Sequence, residues 1–323
     1  MGHVDGAEQR LQGIRRVDLR GVELGGRGWE EARAAVAASM QALGAVVLVV
    51  QDALDPDLRR DLFGRAVPEF FALPLDAKRS LVSGPMPPST GTSGRCPKRR
   101  RTRACAPGRP PTPAPSGTSA TSSGRMEAIL RSVSAFAANM LGLERKVGAM
   151  VLESLGVGQG SVASHLDSLN YSVRLSRYGV SEAGDGMLMK PHRDCTVLSV
   201  VVQHDVEGLE VQAQDGSWLA VAPIPDTVAV IAGELLAVVT NGRVPACLHR
   251  VSAPRGSERL SAQFVSKPKD GNTVRPLDEL VDADHPPLYK PCDFDEYVRF
   301  RFAGDGQKLT DPLEAFCGVA WGP

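Results

Sequence analysis

From Tyr171 onward the chain breaks into short runs of β-branched and apolar residues, separated by Pro, Gly and Asn-Gly. This succession limits the fold more than any other feature. Thr196–Gln203 is β-branched and mostly apolar. Leu209, Val211 and Ala213 alternate with polar residues up to Asp215-Gly216, a hairpin turn signal, and Trp218–Val221 returns. Thr227–Ala232, Leu248–Ser252 and Arg259–Ser266 follow. Many short strands at regular spacing predict a sandwich or jelly roll.

The first third reads differently. Trp29, Ala32, Val36, Met40 and Leu43 recur at helical spacing and stop at Gly44. Ala45–Val50 reads as a short buried strand. Asp55-Pro56 is an N-cap followed by proline at the first helical position, opening a helix through Leu58, Leu62 and Phe63. Met126–Leu155 carries an amphipathic stripe of Ile129, Val133, Phe136, Met140, Val147, Met150 and Val151, ended by Gly156. Phe294–Phe302 reads as a C-terminal helix with Asp293 as its cap.

Between these regions lies an anomaly. Residues 84–125 contain no Leu, Ile, Val, aromatic or acidic residue, but hold nine of the 24 prolines and eight basic side chains. Such a segment cannot bury enough apolar surface to offset its ordering entropy, so disorder is expected. A flexible linker, a basic nucleic-acid or import patch at residues 98–101, and out-of-frame translation all fit this composition. No aromatic residue is interleaved to stack on bases, which weighs against nucleic acid; the abrupt edges favour the third reading. Three regions are therefore expected: 1–83, the insert 84–125, and 126–323 with the long helix and the strand-rich core.

Charge and cysteine usage narrow the class. The 37 basic and 37 acidic residues balance, so no net field points to nucleic acid or membrane. The longest apolar run is far short of the ~20 residues a membrane helix needs. The first residues show neither a signal-peptide core nor a myristoylation site. Six scattered cysteines without a CxxC pair disfavour a disulfide scaffold or a cysteine-ligated zinc. A cytoplasmic protein acting on a small molecule is the expectation; the oligomeric state is left open.

The chemistry concentrates in a few residues. His192-Arg193-Asp194 precedes the Thr196 strand, and in extended chain residues two apart share a face, so His192 and Asp194 can reach one metal. His249 opens a later strand. Two histidines and one carboxylate make the facial triad of non-heme iron(II) oxygenases. Arg259 and Ser261 share a strand face further on, and an arginine fork matches a carboxylate. A structural zinc, or no metal, is the bland alternative for the triad, and packing is the bland role for Cys195 and Cys247. His204 reads as a surface residue.

Several stretches resemble the plant 2-oxoglutarate/Fe(II)-dependent dioxygenases. They are Leu175–Tyr178, Lys190–Ser199, Gly208–Gln212, Thr240–Arg243, His249–Val251 and Arg259–Ser261. The tail, through His285-Pro-Pro-Leu-Tyr289 and Cys317-Gly-Val319, is similar to the subgroup of auxin-oxidising and glucosinolate side-chain-modifying enzymes. The resemblance implies a mixed α and β chain with a double-stranded β-helix (jelly-roll) core and flanking helices. It implies that His192, Asp194 and His249 bind Fe(II), and that Arg259 and Ser261 hold the distal carboxylate of 2-oxoglutarate. Tyr178, from the family's Asn-x-Tyr element with Ser176 in place of asparagine, would help place the cosubstrate's other end. Glu234 stands where the family usually has aspartate, and Arg193, facing away, should matter little. No catalytic side chain beyond the metal ligands is implied.

The implied activity is hydroxylation or oxidation of a small organic metabolite, of the plant specialised or hormone kind. Fe(II), 2-oxoglutarate and O2 would be consumed or used, with release of succinate and CO2 and ascorbate as a reductant. In relatives the region of the insert supplies strands and aromatic residues that close the substrate pocket. The alternative is therefore a jelly-roll remnant that binds iron and 2-oxoglutarate without productive turnover.

Overall fold

The computed structural model describes residues 14–50, 53–80, 100–104, 120–180, 186–252, 254 and 256–319. The helix Trp29–Leu43 has the expected bounds and ends at Gly44, whose φ of 62° and close approach to the Pro245 carbonyl both favour glycine. Asp55 caps the helix Pro56–Asp61 by accepting from the backbone N–H groups of Asp57 and Leu58. That helix runs through a π turn, Leu62–Ala66, into Val67–Ala72. Pro68 lacks the N–H an α turn would use there, which accounts for the wider turn. The long helix covers Ala120–Ser154 and buries Ile129, Val133, Phe136, Met140, Val147, Met150 and Val151.

Two sheets form the core. The larger contains β1 (Arg16–Asp18), β2 (Ala45–Val49), β3 (Arg100–Ala104), β4 (Leu169–Tyr178), β6 (Leu198–Gln203), β9 (Thr227–Ala232) and β11 (Arg259–Pro268), in the order β1-β2-β9-β6-β11-β4-β3. The smaller contains β5 (Met187–His192), β7 (Leu209–Gln212), β8 (Trp218–Ala220) and β10 (His249–Ser252), in the order β5-β10-β7-β8. This is the jelly-roll arrangement of two facing sheets, with helices packed outside the larger one.

Strand alternation sorts the side chains into two layers. Val173, Leu175, Leu198, Val200, Val202, Val228, Val230, Ala262 and Phe264 join the helices in the main core. Ala45, Val47, Val201, Ala229 and Ile231 face inward and pack with Leu209 and Val211 of the small sheet. Residues 174, 176 and 178 of β4, and 259, 261 and 263 of β11, share that inward face by register.

Two expectations change. The apolar-poor segment 84–125 is not uniformly without structure. Residues 100–104 form β3, paired antiparallel with β4, and the long helix starts at Ala120, six residues before the first apolar signal. The rest of that segment lies outside the described residues. Edge-strand pairing needs only backbone groups, so composition alone does not forbid it.

One core residue is out of keeping with its surroundings. Glu144, on the long helix, is fully buried, and neither carboxylate oxygen has a hydrogen-bond partner among the described residues. Burial pushes its pKa from 4.5 up to about 7, and the nearby Ser266 hydroxyl and Arg145 offset this only in part. An acid raised in this way binds its proton more tightly folded than unfolded. Stability should therefore be full below about pH 4.5 and fall as pH rises through about 7, by roughly 3 kcal/mol. Urea unfolding between pH 5 and pH 8 checks this; Glu144→Gln should flatten that part of the slope.

Candidate metal centre

The register of the small sheet brings the two histidines together. His192 ends β5, His249 opens β10, and the two are cross-strand partners with ring centroids 4.2 Å apart. Asp194 lies beyond the end of β5 rather than on a continuous strand with His192, because the next strand begins only at Leu198. Its Oδ1 is 3.7 Å from His192 Nε2, and its Oδ2 is 4.0 Å from His249 Nε2. One donor atom from each residue lies within 4.8 Å of the others.

The ring orientations suit a metal. His192 Nδ1 lies 2.8 Å from the Lys190 carbonyl, and His249 Nδ1 lies 3.2 Å from that of Cys247. A proton on Nδ1 satisfies each carbonyl and leaves the Nε2 lone pair facing Asp194. Burial alone would raise the Asp194 carboxyl. The fields of His249, His192 and Arg174, with a 2.7 Å hydrogen bond from Ser199, overcome it and hold the group well below the usual carboxylate range. Burial pushes the Cys195 thiol up to about 11 and that of Cys247 up to about 12, so neither supplies a thiolate ligand near neutrality.

Behind the ligands stands a buried polar cluster. The Glu234 N–H donates to the Asp194 carbonyl at 2.8 Å. Its side chain, 2% exposed, accepts from the Tyr297 hydroxyl at 2.7 Å and from Arg301. Arg301 also donates to the Arg193 carbonyl at 2.7 Å. The helix Phe294–Ala303 thus holds the Arg193 carbonyl directly and, by binding the Glu234 side chain, steadies the residue whose N–H holds the Asp194 carbonyl. The Arg193 side chain turns away from the site as expected, yet it is not idle. It donates to the Ala246 carbonyl at 3.2 Å and ties the His192–Asp194 turn to the segment leading into His249.

At the other end of the inward face, Arg259 is 1% exposed. It donates to the Gln203 side-chain oxygen at 2.8 Å and to the Ser261 hydroxyl at 3.4 Å. Its Nε has no partner, and no acidic residue among the described ones pairs with it. Burial works against its charge, with Tyr178 as the compensating neighbour. The Tyr178 ring lies 5.3 Å from the guanidinium, and Tyr178 and Arg259 are cross-strand partners. The structure therefore places Tyr178 at the Arg259 end of the site rather than at the metal end. His204 is only partly exposed; it stacks on Phe63 and approaches Asp205 at 3.1 Å, away from the triad.

Residues 168–268 match the model of the 2OG-Fe(II) oxygenase superfamily, a span that includes all three donors, Arg259 and Ser261. This part of the chain is similar to that superfamily, and the chain spans less than two thirds of the length of the curated relatives it matches. Among curated proteins, the chain is 40% identical over 147 residues to 2-oxoglutarate-dependent dioxygenase AOP3 of Arabidopsis thaliana; the match covers 45% of this chain and 36% of that relative. Among solved structures, a rice dioxygenase for auxin oxidation aligns over 94% of this chain and 100% of its own, with 26% identity and a TM-score of 0.75. JOX2, solved in complex with 2OG, Fe and JA, shares the fold at 21% identity and a TM-score of 0.76, over 95% of this chain and 89% of its own.

Gln203, Ser199, Tyr297 and Arg301 were not legible as site residues. Gln203 left one signal, a polar residue closing an apolar strand. Tyr297 and Arg301 left another, two polar-headed side chains one helical turn apart. Replacing Arg301 by methionine should weaken Fe(II) or Co(II) binding about 10–100-fold, the usual cost of losing an outer partner. Arg299→Met, at an exposed position of the same helix, should change nothing. Competition against a chromophoric chelator measures both.

Proposed function

We propose that the chain is an Fe(II)- and 2-oxoglutarate-dependent oxygenase that hydroxylates or oxidises a small organic metabolite. The carrying observation is the pairing of two features, one from each of the two facing sheets. One is a His-Asp-His donor set; the other is a buried arginine that has no acidic partner among the described residues. Two imidazoles and one carboxylate suit iron(II) and leave positions open. A buried, uncompensated guanidinium is costly, and a dianionic cosubstrate reaching from the metal offsets that cost.

When bound, the iron supplies the dioxygen chemistry that couples oxidative decarboxylation of 2-oxoglutarate to substrate oxidation. The protein supplies geometry. His192, Asp194 and His249 hold the metal, and Arg259 and Ser261 fix the distal carboxylate. The Gln203 oxygen takes one guanidinium N–H and sets the plane of the fork. Gly208 makes room for it: a Cβ there would stand 3.0 Å from Arg259 Nε and 2.3 Å from the Ser252 carbonyl. Tyr178, Leu188, Met189 and Val251 form an apolar cluster that keeps water from this end. Ascorbate would keep the iron reduced. No helix among the described residues is long and apolar enough to cross a membrane, and the four described cysteines are free thiols, as suits the cytoplasm.

Anaerobic titration with Fe(II) and then 2-oxoglutarate should produce a metal-to-ligand charge-transfer band. His192→Ala should abolish it, and Arg259→Ala should weaken cosubstrate binding by at least tenfold. Folded protein that gives no band would remove this reading. A band without succinate release over any substrate would mark a binding protein that has lost turnover.

A further inference from the structure

A second buried arginine, Arg59, meets the backbone that supports the Arg259 cradle. Asp55 caps the helix Pro56–Asp61, and its carbonyl accepts the Arg59 N–H at 2.9 Å, closing the first turn. The Arg59 residue is 9% exposed. One of its terminal nitrogens donates to the Gln203 carbonyl at 3.1 Å and to the His204 carbonyl at 2.8 Å. The other donates to the Pro225 carbonyl at 3.4 Å. Phe63, one helical turn on, sets its ring 5.5 Å from the guanidinium and stacks on the His204 imidazole. The Asp205 carboxylate is 3.5 Å away, but it is exposed, and water screens the pair.

Register explains why an arginine serves there. β6 pairs with β9 from Leu198 to Val201, and that ladder stops two residues before the strand ends at Gln203. On its other side β6 continues along β11: Gln203 faces Ser261, and the His204 N–H donates to the Leu260 carbonyl at 3.1 Å. Arg59 takes over where β9 leaves off. Carbonyls from the end of β6 and from the approach to β9 converge on it, and a planar fork of five N–H donors can serve all three at once. The backbone held in this way carries the Gln203 side chain. Its Nε2 donates to the Val221 carbonyl at 2.7 Å, and its Oε1 accepts from the Leu209 N–H at 3.1 Å and from Arg259 at 2.8 Å. The path from Arg59 to the Arg259 fork therefore runs through one residue, Gln203.

Resting on the oxygenase reading above, we propose that Arg59 is a positioning residue for the cosubstrate. By holding the end of β6 it fixes the Gln203 amide, and through it the plane in which the Arg259 fork meets the distal carboxylate of 2-oxoglutarate. Bidentate hydrogen bonds need close alignment, and a displacement of about 1 Å can cost about 100-fold. The two histidine ligands stand on the other sheet. Loss of Arg59 is therefore felt at the carboxylate end of the cosubstrate and not at its metal-chelating end.

The test titrates protein loaded anaerobically with Fe(II) against two keto acids and follows the charge-transfer band. One is 2-oxoglutarate; the other is 2-oxovalerate, which keeps the keto-acid end but has a methyl group in place of the distal carboxylate. Arg59→Met should weaken 2-oxoglutarate about five- to twentyfold and leave both 2-oxovalerate and Fe(II) affinity within about twofold. Arg59→Lys should show the same selective loss at about two- to fivefold, and Asp205→Asn should change nothing. Adding Arg59→Met to Gln203→Leu should cost no more than Gln203→Leu alone, because the two residues act in series. The proposal is overturned if the two keto acids weaken in step, which is what a merely structural role would give. It is equally overturned if Arg59→Met binds 2-oxoglutarate like wild type, or if the losses from the two substitutions multiply. If Arg59→Met does not fold, Arg59→Lys decides by the same comparison: a selective loss supports the proposal, and a parallel loss or none overturns it. Wild-type protein that forms no band with either keto acid fails the oxygenase reading itself, and the role of Arg59 falls with it.

Discussion

The ionised carboxylate of Asp194 is the element on which the other parts of the centre depend. It is 9% exposed, and a charge this far from water costs several kcal/mol unless it is paired. The Ser199 hydroxyl and the field of Arg174 supply part of the compensation, and the two imidazoles add to it when they carry a second proton. Its backbone is held as firmly as its side chain, by Glu234 at its own carbonyl and Arg301 at the one before. A divalent cation completes this arrangement in a way that a proton, bound to one oxygen only, would not.

The large sheet acts as a ruler. Because β4, β11 and β6 pair in continuous register, the positions of Tyr178, Arg259, Ser261 and Gln203 relative to Ser199, which bonds Asp194, are fixed by backbone hydrogen bonds rather than by flexible side chains. Gln203 and Gly208 then tune the position of one guanidinium within that frame. Positional control of this kind is what an oxygenase asks of its protein, since the metal does the difficult chemistry and the scaffold decides which bond it meets.

Much of this is written locally. Asp55-Pro56, Asp293 and Gly44 mark helix ends through interactions within a few residues, and all three do so in the structure. The strands Thr227–Ala232 and Arg259 onward start where β-branched residues resume after turn signals. His192, Asp194, His249 and Arg259 stand out because their chemical types are few and their order is informative. What escaped notice depends on distant contacts. Tyr297 and Arg301 meet Glu234 across 63 and 67 residues, and Arg59 caps the carbonyls of Gln203 and His204 across 144 and 145. Nothing in the spacing of either partner announces such a meeting. The start of the long helix is not legible because Ala120–Arg125 has no apolar stripe, nor is β3, because its pairing is a matter of backbone alone.

The grip of the C-terminal helix on the Arg193–Asp194 peptide has a consequence for how the protein matures. The three donor residues all leave the ribosome before the helix that steadies them. A nascent chain ending near residue 293 already contains His192, Asp194 and His249, together with every strand that frames them, but not Tyr297 or Arg301. Iron captured at that stage is held by donors whose backbone is still free to shift. The donor set therefore gains its full backbone support only once the helix Phe294–Ala303 has been made and has docked.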